Sequence, residues 1–273
     1  MLKITQVRQF CLFYKKMEYV LLSNTNCMVS RTALSATSLK DSKTEDVVAL
    51  LRKAYEGGIN FYHTSEDNTV LKSSLGYAFY GMRKEVFISV SSSSKDTIEV
   101  QNQIIETLDA LNSSYIDIFS IHKDDFVPKK HTNDGLYLAL LSAKADDNIK
   151  SIGFSTSNLE LAKEALDSKL YDVIIFQYAL GKTPTETEIQ FFEECKKQEI
   201  GLIINYEKLV SEEIEYPLIF GFLRKFENLI SMWKIKNQED LQQVFYFEAN
   251  PPQITENVIE EINRVKAQRL ENL

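Results

Sequence analysis

Two histidines stand where chemistry is easily built. His63 closes the run INFYH and His122 closes IDIFSIH, each at the end of a short stretch rich in apolar and β-branched residues. Carboxylates follow at once, Glu66 and Asp67 after the first and Asp124 after the second, with Glu207 after a third such stretch. Imidazole beside carboxylate is a donor set for zinc, manganese or iron, and equally a set for moving protons. The two histidines lack the short fixed spacing of a metal motif, so no metal site is predicted. A metal-dependent enzyme built on His63 and His122 stays as the minor alternative. The run SSSSK from Ser91 to Lys95 and the pair Lys234 and Lys236 offer anion chemistry, for which a polar loop and solvated lysines are the simpler accounts.

Side chains this far apart in sequence converge only if a fold gathers the ends of their strands. Short apolar runs recur along the chain, each followed by a segment of helical period, which is the pattern of βα units and a parallel sheet. Eight such strands are expected, at Thr32 to Ala36, Asn60 to His63, Val86 to Val90, Ile116 to Ile121, Ser151 to Phe154, Val173 to Phe176, Leu202 to Asn205 and Leu229 to Trp233. Between them, Thr44 to Glu56 carries Val47, Val48, Leu51 and Ala54 on one face, with Thr44 as the expected N-cap and Gly57 and Gly58 as the stop. Thr97 to Leu111 does the same with Val100, Ile104, Ile105 and Leu108. Eight units close a (β/α)₈ TIM barrel, whose active sites gather at the C-terminal ends of the strands, where His63 and His122 would lie. An open doubly wound sheet is the alternative architecture, but Ala33 to Lys40 lacks the glycine-rich turn usual after its first strand.

The barrel domain is expected over 17–273, with 1–16 as an extension that lacks the pattern of a signal peptide. A hairpin from Met17 to Met28, turning at Asn24 to Asn26, is expected to cap the barrel floor, and an amphipathic C-terminal helix from Ile254 to Leu270 to pack outside. A net charge of −8 with no dense basic stripe argues against nucleic acid as a partner. No run approaches the ~18 apolar residues of a membrane span. Cys11, Cys27 and Cys195 are scattered and unpaired in spacing, which suits a reducing, cytoplasmic setting. Glycine is scarce, 9 in 273 residues, about half the ordinary ~7% usage, although cofactor sites need it wherever backbone must approach a ligand.

From Met17, MEYVLLSNTNCMVSRTALSATSL resembles the opening hairpin and first strand of aldo-keto reductases. GGINFYHTSEDN and then LGYAF are similar to that family's G-I-N-x-x-D-T-A-x-x-Y and L-G-x-A-L. RKEVFISV, SSYIDIFSIHKDD, NIKSIGFSTS and IGLIINYEKL follow in the family's order, and LISMWKIKNQEDL resembles its closing unit more weakly. The resemblance implies a nicotinamide-dependent carbonyl reductase, in which a tyrosine donates a proton, a lysine paired with an aspartate lowers its pKa, and a histidine orients the substrate. On this chain the aspartate position is His63, the tyrosine position Asn68, the lysine position Ser91, and only His122 keeps its residue.

An amide has no proton to give near neutrality, and a serine has no charge with which to activate one. The implied cofactor contacts are eroded as well. The Gly-Thr after the first strand reads Ser35 and Ala36, the Ser-Asn after the fifth reads Ser155 and Thr156, and the glutamine of the sixth reads Ile175. The stacking tyrosine of the seventh survives as Tyr206, while bulky Trp233 stands near the phosphate loop beside Lys234 and Lys236. Residual NADP contacts would fall to Ser155, Thr156, Tyr206 and Lys236. The sequence thus predicts a pseudoenzyme of the family with no cofactor, serving a regulatory, scaffold or ligand-binding role toward a protein or small-molecule partner. Relatives of that kind include a potassium-channel partner and the modifier subunit of glutamate–cysteine ligase. The alternative is a divergent NADP-dependent oxidoreductase with a rearranged site.

Overall fold

A computed structural model of the chain describes residues 17–22, 25, 27–39, 41–178, 185–209 and 216–253, with 255, 257, 260 and 264 singly, and the backbone alone at 207–209, 216 and 218. The extension 1–16, the turn residues Asn24 and Asn26 and nearly all of the tail helix expected over Ile254 to Leu270 lie outside the described residues.

The strands β1 (Tyr19–Leu21) and β2 (Met28–Ser30) form an antiparallel hairpin. Eight parallel strands follow: β3 (Thr32–Ser35), β4 (Phe61–Ser65), β5 (Phe87–Ser92), β6 (Ile116–His122), β7 (Ile149–Thr156), β8 (Val173–Tyr178), β9 (Gly201–Leu209) and β10 (Leu229–Lys234). They close in the order β10-β3-β4-β5-β6-β7-β8-β9, a TIM barrel. The helices between and after them are α1 (Thr44–Glu56), α2 (Thr69–Ala78), α3 (Thr97–Leu111), α4 (Leu136–Ala145), α5 (Leu159–Ser168), α6 (Glu186–Lys197), α7 (Tyr216–Leu223) and α8 (Gln238–Ala249).

Alternation along each strand splits the apolar residues into two cores. Leu34, Tyr62, Phe119 and Phe154 face outward and pack with Leu51 and Phe220 of the helices. Ala33, Phe61, Ile118, Ile175, Ile203 and Met232 fill the barrel itself. The hairpin plugs its floor, as expected, by adding Leu22 and Val29 to that inner cluster. Glycine at 201 leaves room for Leu22 as it is placed: a Cβ there would lie 2.8 Å from Leu22 Cδ1.

Local signals explain the helix ends. Asp96 accepts from Glu99 N to start α3, and Thr185 and Glu188 form a reciprocal capping box at α6. At α1 the expectation fails in detail: Lys43, not Thr44, is the N-cap, and no side chain caps it. The stop is as read, with Gly57 as C-cap and Gly58 at φ +95°, a left-handed conformation that favours glycine.

Candidate functional site

The barrel mouth holds a cavity of about 540 Å³, into which every strand of the barrel but β7 sends residues directly or through its following loop. Its lining is polar, with Ser35, Ser91 and Ser93 as hydroxyls, Glu66 and Asp67 as carboxylates, and Gln177 and Asn205 as amides. Both expected histidines line it, since β4 and β6 end there.

His63 is held between two serines of β5, with Ser89 Oγ 3.2 Å from Nδ1 and Ser91 Oγ 2.9 Å from Nε2. Burial lowers its pKa to about 4, so the ring is neutral at physiological pH. The positions implied for the aspartate and the lysine therefore still touch, now as an uncharged imidazole–hydroxyl pair. Asn68, at the tyrosine position, has left the cavity and caps α2: its carbonyl oxygen accepts from Leu71 N at 2.9 Å and its amide nitrogen donates to Thr37 O at 3.4 Å.

His122 is about one-quarter exposed and is clasped on both sides. Gln177 Nε2 donates to Nδ1 at 3.2 Å, with Ser155 Oγ also 3.2 Å away, which leaves Nε2 to carry the proton toward Asp124 Oδ2 at 3.3 Å. Burial works against the charge on Asp124, but hydrogen bonds from Ser157 and Thr156 outweigh it and hold this carboxyl below its usual range. Ser155 and Thr156, proposed from the sequence as cofactor contacts, thus spend their hydroxyls on His122 and Asp124.

Tyr206 lines the cavity, but its ring stacks on Trp233 at 5.2 Å between centroids, and Phe220 also stacks on Trp233, at 5.3 Å. The lysine at the cavity is Lys234. Lys236 is exposed, does not line the cavity, and gives its backbone N–H to Asp240 Oδ2 at 2.8 Å.

Sequence reasoning missed three participants. Gln177 follows Ile175 by two residues on the same inward face; Ile175 lies deep in the inner core while Gln177 reaches the mouth. Asn205 and Thr37 line the cavity too, and for Gln177 and Asn205 the signal was the period of two carried past the apolar run. Lys72 and Lys123 do not stand in at the position implied for the lysine. Lys72 Nζ donates to Glu66 O at 2.7 Å, and Lys123 Nζ to Ser93 O and Ser94 O at 2.9 and 2.7 Å. Burial lowers both pKa values against the pull of nearby acids. Lys95 sits at the surface, 3.9 Å from Asp125. Tyr62 points to the helices, donating to Ile59 O at 2.7 Å, and Tyr77 and Tyr80 are exposed.

A metal finds no ready seat. Serines engage both nitrogens of His63, and among the described residues no three His, Cys, Asp or Glu side chains converge. A dinucleotide fits poorly too. The start of α8, which would attract a phosphate, is capped by Asn237 and carries Glu239 and Asp240 in its first turn. The serine loop is likewise turned inward, Ser93 N and Oγ both donating to Glu66 Oε1, at 2.9 and 2.6 Å. No helix among the described residues is long and apolar enough to cross a membrane.

Comparison with known proteins agrees with this architecture. The Aldo/keto reductase family profile matches residues 32–264. A putative aldo-keto reductase from Pseudomonas aeruginosa is 17% identical, at a TM-score of 0.75 over 90% of this chain and 100% of that one. The holo form of an aldo-keto reductase from Bacillus halodurans gives 14% and 0.72 over 91% and 96%. An aldo/keto reductase from Klebsiella pneumoniae, solved with NADP and acetate, gives 14% and 0.69 over 92% and 95%. No curated protein matches the sequence significantly.

Proposed function

Since the chain belongs to the aldo/keto reductase family, we propose that it is a member without carbonyl reductase activity, whose barrel mouth serves as a small-molecule pocket in a regulatory or scaffold role. The observation that carries this reading is the fate of the implied acid–base positions. Reduction of a carbonyl needs a proton at the oxygen as hydride arrives, and a donor with a tuned pKa supplies it. Here Asn68 caps a helix away from the cavity, and His63 and Ser91 satisfy each other without a charge. The nicotinamide would supply hydride if bound. The residues that would hold it, Ser155 and Thr156, are committed to His122 and Asp124. His122 is left to orient a bound ligand through an N–H already shared with Asp124.

A divergent NADP-dependent oxidoreductase is the competing reading, supported by the exposure of His122 at the cavity and by the NADP present in the Klebsiella pneumoniae relative. Calorimetric titration with NADPH and NADH separates the two. We expect no saturable binding; a Kd tighter than about 100 μM would overturn the proposal. Restoring the family residues by His63→Asp, Asn68→Tyr and Ser91→Lys together is expected to return no NADPH-dependent reduction of aldehydes, because the cofactor contacts are lost independently. Cys27 and Cys195, both free, suit a cytoplasmic setting.

A further inference from the structure

Most polar groups at the mouth are satisfied from within the chain, and the exceptions share one arc of the cavity. Asn205 Oδ1, on β9, is buried and has no donor. Next comes β10, where Met232 is the register partner of Asn205, and its last residue, Lys234, lines the cavity, its side chain making no hydrogen bond or ion pair with the described residues. Lys234 is the register partner of Ser35 on β3, and Ser35 that of His63 on β4. Beyond His63 come Glu66 and Asp67. Each uses one carboxylate oxygen on a serine, Glu66 Oε1 on Ser93 and Asp67 Oδ1 on Ser65, and keeps the other. Two inter-strand spacings put β10 and β4 about 10 Å apart, so one small molecule can touch both.

This arc has a cationic end, an anionic end and a buried acceptor. A simple anion would engage only Lys234, an amine only Glu66 and Asp67, which Lys72 attracts from behind, and a neutral polyol would meet neither charge with one of its own. We propose that the mouth binds a small zwitterion, an amino acid or short peptide, with its carboxylate on Lys234, its ammonium on Glu66 and Asp67, and a further N–H on Asn205 Oδ1. A cavity of about 540 Å³ accommodates either. The inference rests on the reading of the mouth as a ligand pocket rather than a nicotinamide site.

The test is a calorimetric screen of the full chain against the twenty common L-amino acids and a set of their dipeptides. The best binder is then compared with its N-acetyl and its C-terminal amide derivatives. At least one zwitterion is expected to bind with Kd below about 5 mM, and each blocked derivative to bind roughly tenfold more weakly or worse. Lys234→Met should equalise the free acid and the amide, and Glu66→Gln with Asp67→Asn should equalise the free amine and the N-acetyl compound. If no zwitterion reaches that Kd, or the blocked derivatives bind as well as the parent, the proposal is wrong. The NADPH titration reads the underlying function separately. Failure of the amino acids without NADPH binding sinks only the ligand class, while NADPH binding sinks the pocket reading itself.

Discussion

The two ends of the barrel treat charge in opposite ways. At the floor, ions are paired and mostly buried, with Glu18 half exposed. Arg31 and Arg224 both reach Glu18, Arg224 also bonds Glu248, and Glu248 accepts from Thr32. Arg83 lies 2.6 Å from Asp117, which also accepts from Ile88 N at 2.9 Å. Burial raises the pKa values of Asp117 and Glu248, and the arginines pull them back. At the mouth, the implied catalytic positions are neutral, His63 between serines and Asn68 on a helix start, while buried Lys72 and Lys123 rest on backbone carbonyls and Glu66, Asp67 and Lys234 line the cavity wall. The floor uses ions to lock the hairpin and the strand starts, whereas the mouth keeps Lys234, Glu66 and Asp67 facing its cavity.

Removing one partner of a floor pair should have the largest effect. Arg224→Ala leaves Glu248 buried and uncompensated, and a loss of about 3–5 kcal/mol is expected in urea unfolding; a loss under about 1 kcal/mol would show that the floor network is ornamental. The mouth should respond to pH instead. The unfolded chain protonates His63 near its ordinary 6.5, the folded chain only near about 4. The unfolded state therefore binds more protons between these values. Stability should be complete above about pH 6.5 and fall as pH drops toward 4, by of order 3 kcal/mol, an interval that His63→Gln should flatten. Equal slopes in the two proteins would show that His63 is not held neutral.

Asn68→Ala removes a cap rather than a proton donor, so it should cost about 1 kcal/mol in thermal unfolding and leave ligand binding at the mouth unchanged. A change in ligand affinity without a stability loss would return Asn68 to the site. Lys95→Ala, at an exposed pair, should change stability by less than about 0.5 kcal/mol.

The sequence made the barrel legible because apolar strands and amphipathic helices alternate along it, and α1 and α3 are helical over the residues expected. Strand ends at the mouth were less so. There β4 runs on to Ser65 and β5 to Ser92, because parallel pairing of Ser65 with Ser91 and Ser92 with Ile121 continues the ladder after the apolar pattern stops. The same polar ends hid Gln177 and Asn205. The implied tetrad positions pointed to the barrel mouth. How those residues are engaged there, Asn68 as a helix cap and His122 beside Asp124, depends on tertiary contacts that no spacing encodes.

The stack of Tyr206 on Trp233 has a further consequence. Trp233 is the sole tryptophan of the chain, and its neighbour in the stack is a wall of the cavity. Emission excited selectively from that indole therefore comes from a chromophore one ring away from the pocket, so any occupant that shifts Tyr206 should change its intensity without a label being attached.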